Sequence, residues 1–523
     1  MTAVVDSPEA PADARGPRGA ARGGLANMAG SALAGGTGVA VTWIVARALG
    51  AEQAGAFFAA TAAFVLAGGV AKLGTQTGLV YWPARLRATG RAHLLGACLR
   101  TGLVPVAALS VVLAVALWFG APAVARVTAG GAGHVIADHT AGLRVLAVFL
   151  PLQALTDALL TATRGYRAMR PTVIYERVLR SGLQLLLVAA AGVAAMYASA
   201  SLPLFAFAWA VPYLPVTVLA AFALRRTYRR HLPDGAVTRR GERDDLRRDF
   251  WRFTGPRALA SVAQLALQRV DVLLVAALGG LTAAAVYAVA GRFVVLIQFA
   301  NQGISQSVQP RLAEALATGD RATANHLYRT ATGWLVLVTW PISLLVILFA
   351  PVYLRLFGDG YTAGAPVVVV LACAMLVATG CGMVDMVLAM AGRTSWNLVN
   401  VLVALGVTVG LDVLLIPRYG ALGAAIGLAC AMVANNVLPL IQVGRAAGLH
   451  PFGRGTLTAA GLSFACFGVL PRLVTAVTGP GTAGLAPAVA LAVAAFGAGA
   501  WLLRRPLGLN AFKPRKLTQR RTG

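Results

Sequence analysis

Fourteen long apolar segments follow one another along the chain, and they limit its possible folds more than any other feature. Segments of this length form helices that can cross a hydrocarbon layer about 30 Å thick. The strands of a membrane β-barrel would instead be about ten residues long, with polar and apolar positions in alternation. The chain is therefore predicted to be an all-α, polytopic membrane protein. Its helices are expected near residues 26–46, 54–80, 97–119, 143–163, 180–198, 203–223, 256–279, 282–308, 331–350, 365–390, 396–416, 420–443, 456–477 and 483–503.

Composition and charge distribution also favour a membrane protein over a soluble one. Of the 523 residues, 58% are hydrophobic and 12% are charged, whereas a soluble domain has about 25% charged residues. The net charge of +27 would suggest a nucleic-acid partner if the protein were soluble. With a cytoplasmic N-terminus, however, 36 of the 45 lysine and arginine residues lie on the inner side, as the positive-inside rule requires. We therefore expect a multi-pass protein of the bacterial cell (cytoplasmic) membrane. Both termini would be cytoplasmic, and the basic loops would contact anionic lipid headgroups rather than nucleic acid.

An internal repeat relates the first part of the chain to its middle at a constant offset of 229 residues. Leu49-Gly50 corresponds to Leu278-Gly279, and Ala88-Thr89-Gly90 corresponds to Ala317-Thr318-Gly319. Six predicted helices separate equivalent points, so both copies would have the same orientation in the membrane. The sequence thus predicts two six-helix lobes related by a pseudo-twofold axis, followed by two C-terminal helices.

This arrangement also sets the expected domain boundaries. The termini are rich in arginine and in small or polar residues, and the N-terminal tail is expected to be disordered. In chain order we expect a disordered cytoplasmic tail at 1–24, an N-terminal lobe at 25–223, a basic cytoplasmic loop at 224–253, a C-terminal lobe at 254–443, two further helices at 444–503 and a basic cytoplasmic tail at 504–523.

Two sets of short motifs carry a family resemblance over residues 25–443. The first lobe contains Ala46-Arg47-Ala48-Leu49-Gly50, Gly55 and Leu73-Gly74. The second lobe contains Gln268-Arg269-Val270-Asp271, Val286-Tyr287-Ala288-Val289-Ala290, Gly319-Asp320, Leu356-Phe357-Gly358 and Pro417-Arg418-Tyr419-Gly420. These motifs resemble the polysaccharide-type flippases of the multidrug/oligosaccharidyl-lipid/polysaccharide (MOP) exporter superfamily.

The resemblance implies a function, a substrate and a set of partners. It implies a flippase that moves a polyprenyl-diphosphate-linked oligosaccharide from the inner to the outer leaflet by alternating access, for surface polysaccharide or cell-wall biosynthesis. Twelve helices are common in the oligosaccharide type, and fourteen in the type that carries the peptidoglycan precursor. The implied partners are the lipid-linked saccharide and the polymerase or glycosyltransferase machinery, with H⁺ or Na⁺ as the coupling ion.

Three basic side chains, Lys72, Arg269 and Arg292, fall inside predicted helices. A charge at membrane depth costs about 2.5–3.5 kcal/mol on insertion scales, so each requires a function or a partner. Arg269 and Arg292 are expected at one depth of consecutive helices, where two guanidinium groups could bind a diphosphate in bidentate fashion. In the alternative interpretation, they pair with Asp271 or Asp385 and only join helices. Lys72 could instead extend to the cytoplasmic surface.

Four further charged residues are candidates for the site. Arg47, at the outer end of the first helix, is a headgroup ligand or a partner of the nearby Glu52. Asp157 and Asp385 occupy equivalent positions in the repeat. Together with Asp271, they are candidates either for ion coupling or for structural salt bridges.

The sequence contains no pattern that indicates catalysis. It lacks a nucleophile-base pair, a phosphate-binding glycine loop and metal-ligand spacing, and its five cysteines lie in apolar segments. We therefore expect a transporter with no catalytic residue, metal site or cofactor. One alternative is a cation-coupled multidrug antiporter of the same superfamily, which needs an acidic cavity. The other is an integral-membrane glycosyltransferase or ligase, which needs carboxylates and large outer loops.

Overall fold

The structure is a computed structural model that describes residues 17–129, 133–166, 168–197, 199, 201–231, 240–478 and 482–508. Over this part of the chain the secondary structure is helical, without β-strands. The helices are α1 (Pro17–Ala71), α2 (Thr75–Ala88), α3 (Leu95–Ala129), α4 (Gly133–Gly165), α5 (Ser181–Ala194), α6 (Leu202–Ala210), α7 (Tyr213–Arg229), α8 (Arg240–Gly279), α9 (Leu281–Ala290), α10 (Arg292–Ala317), α11 (Arg321–Leu348), α12 (Ala350–Arg355), α13 (Ala365–Gly380), α14 (Val384–Met390), α15 (Thr394–Tyr419), α16 (Ala421–Ala447), α17 (Arg454–Ser463), α18 (Leu470–Thr478) and α19 (Thr482–Leu502).

Within the described residues, 13 helical segments are long and apolar enough to cross a membrane. The first of these, Leu33–Ala88, has 56 residues and contains the first two predicted helices. Gly50, between those two helices, has φ 73° and ψ 173°, so the backbone leaves the helical conformation there. Glycine adopts this conformation without the steric cost that a side chain would add. The remaining twelve segments match the other predicted helices one by one, and the all-α, polytopic fold class is confirmed.

The chain divides into two compact units. Unit 1 comprises Met1–Val289 and Val413–Ala421, and unit 2 comprises Ala290–Asp412 and Leu422–Gly523. Unit 1 therefore contains α8, the first helix of the predicted C-terminal lobe, and nearly all of α9, which is the beginning of the second predicted helix at 282–308.

In unit 1, α2 packs closely against α8 through small residues. A Cβ atom at Gly74 would lie 2.4 Å from the Cα atom of Ala258, and one at Gly78 would lie 2.5 Å from Oγ1 of Thr254. Only glycine therefore allows the two backbones to approach this closely. Beyond this contact a buried cluster fills the space between α2, α3, α4 and α8, with Leu79, Trp82, Leu86, Leu95, Cys98, Ala158, Ala162, Tyr166 and Phe250 among its members.

Unit 2 has its own core, centred on α11. Tyr328 is 1% exposed, and its hydroxyl donates a hydrogen bond of 2.6 Å to the carbonyl of Cys381. That carbonyl lies where the helical path breaks between α13 and α14. Gly382 has φ 74° there, and a Cβ atom at this position would lie 2.2 Å from Oγ1 of Thr332. The break is therefore held by packing against α11.

Several helix boundaries differ from those expected, among them the starts of α8, α5 and α1. The helix predicted at 256–279 begins at Arg240, because Leu246 and Phe250 form a buried stripe that continues it into the basic loop. Helical structure before α5 begins at Thr172 rather than at residue 180. The helix α1 begins at Pro17, inside the expected disordered tail. Residues 1–16, 232–239 and 509–523 of the predicted tails and loop lie outside the described residues.

The two copies of the Ala-Thr-Gly motif end their helices with the same geometry. Gly90 after α2 has φ 71°, and Gly319 after α10 has φ 74°. Arg91 donates its backbone N–H to the carbonyl of Leu86 at 2.8 Å, and Asp320 donates to Ala315 at 2.9 Å. Adding the offset of 229 residues to Leu86, Gly90 and Arg91 gives their counterparts Ala315, Gly319 and Asp320. The repeat thus extends from residue identity to local hydrogen bonding, and the cap requires glycine because φ is positive.

Candidate functional site

A break in the second predicted membrane span forms one edge of the candidate site. Between α1 and α2, Leu73 has φ 48° and Gly74 has φ 64°. The left-handed conformation is costly for a residue with a side chain, so the surrounding contacts must stabilise it. The close contact between Gly74 and Ala258 of α8 supplies part of this stabilisation. The break places Lys72 beside α4.

Lys72 and Asp157 form an ion pair inside unit 1. Nζ of Lys72 lies 2.6 Å from Oδ2 of Asp157 on α4, and the two side chains are 17% and 21% exposed. Away from bulk water each charge depends on the other, since an uncompensated buried charge is strongly destabilising. The salt-bridge interpretation of Asp157 therefore has suitable geometry.

A second group of charged side chains comes from the segment before α5. Residues Thr172–Arg180 form wide π-type turns, a conformation that is often found at functional sites. Arg180 donates a hydrogen bond of 2.9 Å to Oε1 of Gln184, and its guanidinium lies 5.2 Å from the ring centroid of Tyr213. Gln184 donates in turn to the carbonyl of Trp209 at 2.9 Å. Arg180 is thus positioned by α5, α6 and α7 together.

Glu176 connects this segment with the ion pair. It lies one turn before Arg180 and is half-buried. Its carboxylate interacts electrostatically with Asp157, Arg164, Arg177 and Arg180. We use the name charge cluster for Lys72, Asp157, Arg164, Glu176, Arg177 and Arg180. The cluster contains four cations and two carboxylates, and both carboxylates have cationic neighbours, so its net charge favours an anionic ligand over a cationic one.

On α8, Asp271 and Arg269 have different surroundings. Asp271 is 5% exposed, its Oδ2 accepts a hydrogen bond of 2.5 Å from the Tyr287 hydroxyl, and its Oδ1 accepts one of 2.8 Å from the N–H of Val272. Arg269 interacts electrostatically with Asp271 and Tyr213. Its Nε is buried and has no hydrogen-bond acceptor among the described residues. A buried guanidinium N–H without an acceptor is costly, and the oxygen of an anion would satisfy it.

The other predicted site residues lie elsewhere. Arg292 begins α10 in unit 2 and interacts electrostatically with Tyr353. Asp385 is half-buried in the first turn of α14 in unit 2, where it interacts electrostatically with Tyr328. Arg47 is exposed. Lys72 and Asp157 are thus the two predicted site residues that the structure joins directly.

Sequence reasoning missed the part of the site that precedes α5. The predicted helix started at Arg180, so Glu176 and Arg177 were assigned to a loop. The spacing of Glu176, Arg180 and Gln184 is four residues each time, which places the three side chains on one helical face. This four-residue spacing is the sequence feature that could have predicted a helix before Arg180. The role of Tyr287 as the partner of Asp271 has no comparable signal, because the two residues lie on different helices.

No group of three or more His, Cys, Asp or Glu side chains that could hold a metal ion occurs in the part of the chain that the structure describes.

Comparison with known proteins places this fold among transporters. The MatE family model matches residues 256–414. The structure resembles the lipid II flippase MurJ in an inward closed conformation, with a TM-score of 0.69 and 11% identity, covering 93% of this chain and 99% of that chain. It also resembles an inward-facing multidrug resistance MATE family transporter of the MOP superfamily, with a TM-score of 0.62 and 16% identity, covering 79% of this chain and 94% of that chain.

A third similar structure is a MOP superfamily transporter from Pyrococcus furiosus, described as having a binding pocket of reverse polarity. The TM-score is 0.55 at 16% identity, and the alignment covers 82% of this chain and 95% of that chain. A search of curated protein sequences found no significant match. The resemblance inferred from the motifs is confirmed at the level of the fold, and the MatE match over residues 256–414 agrees with it. The chain therefore has the multi-pass helical fold seen in transporters of the MOP superfamily, and residues 256–414 match the MatE family model.

Proposed function

We propose that this transporter is a flippase for an anionic, lipid-anchored saccharide. The substrate class is a polyprenyl-diphosphate-linked oligosaccharide, which moves from the inner to the outer leaflet by alternating access for surface polysaccharide or cell-wall biosynthesis. The enzymes that polymerise or transfer the saccharide are its expected functional partners.

The observation that carries this proposal is the buried Nε of Arg269. Its N–H group has no acceptor among the described residues, although Asp271 is two positions away on the same helix. Asp271 instead accepts hydrogen bonds from Tyr287 and Val272. A diphosphate oxygen would supply the missing acceptor, and guanidinium binds phosphate more specifically than ammonium does.

The charge cluster supports the same class of substrate. Its carboxylates, Asp157 and Glu176, have basic neighbours in Lys72 and Arg180. A site for a cationic drug would need a carboxylate whose charge is not already compensated by a basic side chain. Otherwise the drug would have to displace that side chain and leave its charge buried without a partner. The cluster therefore fits a negatively charged headgroup better. Arg292 and Arg47 remain proposed headgroup ligands on charge alone.

Breaks in the membrane-spanning helices support alternating access. One lies at Leu73 and Gly74 in unit 1, and another lies at Gly382 in unit 2. Such points absorb changes of backbone dihedral when helices bend. We further propose that H⁺ or Na⁺ drives the cycle and that Asp271, Asp157 or Asp385 binds the coupling ion.

The proposed location is the bacterial cytoplasmic membrane, with both termini in the cytoplasm. The asymmetry of lysine and arginine supports this orientation, since 36 of 45 lie on one side of the predicted topology. The exposed basic residues at that end, such as Arg85 and Arg248, would contact anionic headgroups.

The test is translocation in vesicles. The protein is reconstituted with a fluorescent polyprenyl-diphosphate-linked disaccharide, and a reagent added outside quenches the label that reaches the outer leaflet. We expect quenching to exceed that of protein-free vesicles, and Arg269→Gln to lower the rate at least tenfold. The matched control is Arg248→Gln, on the exposed first turns of the same helix α8. Wild-type protein that leaves the lipid in place would refute the flippase, and equal rates in both variants would refute the role of Arg269.

A second candidate function is a cation-coupled multidrug antiporter. The specific observation in its favour is the MatE family match over residues 256–414, together with the likeness to a multidrug MATE transporter. In the same vesicles an imposed proton or sodium gradient would then drive uptake of a cationic dye such as ethidium. We expect no such uptake, and gradient-driven uptake that requires Asp271 or Asp385 would favour the antiporter instead.

A further inference from the structure

One face of α10 is polar along most of a membrane-spanning helix. The polar positions follow the spacing i, i+3, i+4, i+7, i+8 and i+11, which places them on one side of a helix. We use the name α10 polar stripe for Gln298, Asn301, Gln302, Ser305, Gln306 and Gln309. At a rise of about 1.5 Å per residue, the stripe is about 16 Å long.

The four glutamines of the stripe are exposed, whereas Asn301 and Ser305 are half-buried and hydrogen-bonded to each other at 3.3 Å. Other faces of the helix are apolar and contribute to the core of unit 2 through Phe293, Ile297 and Leu312. On a further side, Leu296 is 45% exposed and suits contact with lipid. The helix thus separates a packed face, a lipid-compatible side and a polar face.

Contact with lipid hydrocarbon would be unfavourable for the polar face of α10. Moving an amide without a hydrogen-bond partner from water to hydrocarbon costs about 4–8 kcal/mol on the cyclohexane scale. Gln309 donates a hydrogen bond to Sδ of Met390 at 3.8 Å. The other exposed glutamines of the stripe therefore require water or a polar ligand beside them.

The chemistry of the stripe selects the ligand. No charged residue occurs between Arg292 and Arg311, so the stripe offers only amide and hydroxyl groups. Each amide presents both donors and an acceptor, as a sugar hydroxyl does. A phosphate is bound more strongly where arginine or lysine is present, and a cation where a carboxylate is present. We propose that the α10 polar stripe binds the saccharide part of the transported lipid. This inference rests on the proposed flippase function and assigns one part of the substrate to unit 2.

The experiment compares two probes that differ only in the sugar. One is farnesyl diphosphate linked to N,N′-diacetylchitobiose, and the other is farnesyl diphosphate alone. Binding of each to the full chain in nanodiscs is measured for the wild type and for Gln302→Leu/Gln306→Leu, which retains the side-chain bulk. The wild type should prefer the glycosylated probe. The double variant should bind that probe about tenfold more weakly, the size expected for loss of one or two hydrogen bonds, with unchanged affinity for farnesyl diphosphate.

The matched control is Ser307→Ala. Ser307 is exposed next to Gln306 but lies away from the stripe, and its hydroxyl donates to the carbonyl of Ile304 at 2.7 Å. Its removal should change the affinity for neither probe. A second variant, Gln302→Asn, keeps the amide on a shorter side chain and should give a smaller loss than the double variant. Binding of farnesyl diphosphate serves as the test of folding in each variant.

Three outcomes would overturn the assignment. The wild type could bind both probes equally well, or the double variant could bind the glycosylated probe as tightly as the wild type and Ser307→Ala do. The double variant could also keep its sugar preference but change its oligomeric state in light scattering, in which case the stripe contacts a second copy. Failure of the flippase proposal is distinct, because the wild type would then retain its sugar preference in binding but would not translocate the labelled lipid in vesicles.

Discussion

Nζ of Lys72 lies 2.6 Å from Oδ2 of Asp157, and this contact joins residues that are 85 positions apart in the chain. It connects the break between α1 and α2 to the C-terminal part of α4. Asp157 also interacts electrostatically with Glu176, in the segment before α5. A single ion pair therefore links three parts of unit 1, and it lies at the edge of the charge cluster that is proposed to receive an anionic headgroup.

Breaking this ion pair on one side should be more harmful than removing both charges. Lys72→Met or Asp157→Asn leaves one buried charge without its partner, and we expect a loss of about 3–5 kcal/mol in the free energy of unfolding. Lys72→Met/Asp157→Asn should recover much of that loss. Thermal unfolding in detergent, followed by tryptophan fluorescence and analysed as a double-mutant cycle, measures the coupling. Additive effects of the two single substitutions would show that the pair contributes no net coupling.

Removal of the Tyr287 hydroxyl should destabilise unit 1. In Tyr287→Phe, Oδ2 of the buried Asp271 loses its donor, and we expect a cost of about 1–3 kcal/mol in the free energy of unfolding. The control is Tyr197→Phe, because Tyr197 is 86% exposed. The same unfolding measurement applies, and equal transition temperatures for the two variants would contradict a structural role for the Tyr287 hydroxyl.

Two glycines with the same backbone conformation should tolerate alanine differently. Gly74 has φ 64° and Gly90 has φ 71°, so alanine is strained at either position, by about 1–2 kcal/mol. At Gly74 the added Cβ would also lie 2.4 Å from the Cα atom of Ala258, whereas no atom lies within 4 Å at Gly90. We expect Gly74→Ala to lower both the yield of folded protein and its transition temperature clearly more than Gly90→Ala. Similar yields and transition temperatures for the two variants would mean that α2 and α8 can move apart without loss of stability.

The charge of Asp320 should stabilise α11 above acidic pH. Hydrogen bonds from the side chain of Thr323 and from its backbone N–H, the latter at 3.0 Å, lower the pKa of Asp320 below its ordinary value of about 3.9. Because the pKa is lower in the folded state, the stabilisation is fully present above that ordinary value and disappears as the pH falls through the folded pKa.

Two substitutions separate the charge of Asp320 from its capping role. Asp320→Asn should retain most of the cap at neutral pH, since asparagine is also a good N-cap residue, whereas Asp320→Ala should lose it. The transition temperatures of wild type and Asp320→Ala should converge as the pH is lowered below 4. A difference between them that persists at low pH would contradict this assignment of the charge.

The membrane fold was largely predictable from the sequence. Fourteen spans were expected, and the first described segment of 56 residues contains two of them, with Gly50 between. The Ala-Thr-Gly turns at Gly90 and Gly319 were also recognisable, because a helix that ends with a positive φ requires glycine at one fixed position. These features depend on residues close together in the chain.

The site was less predictable. The sequence identified Arg269 as a charge inside a helix. Only the structure shows that the nearby Asp271 accepts a hydrogen bond from Tyr287. Glu176 and Arg177 were missed because the predicted helix began only at Arg180. The α10 polar stripe was visible as spacing, although its significance depends on which faces of the helix are packed.

The sequence by itself determined that the chain is a bundle of membrane-spanning helices, because every backbone N–H and C=O group in hydrocarbon must find a partner within its own segment. It also determined the helix caps and the spacing of the polar residues. Only the tertiary structure decided which charges meet, such as Lys72 with Asp157. The physical reason is that a contact between helices depends on the depth and rotation of each helix. A segment that is apolar on nearly every side leaves both of these quantities unspecified.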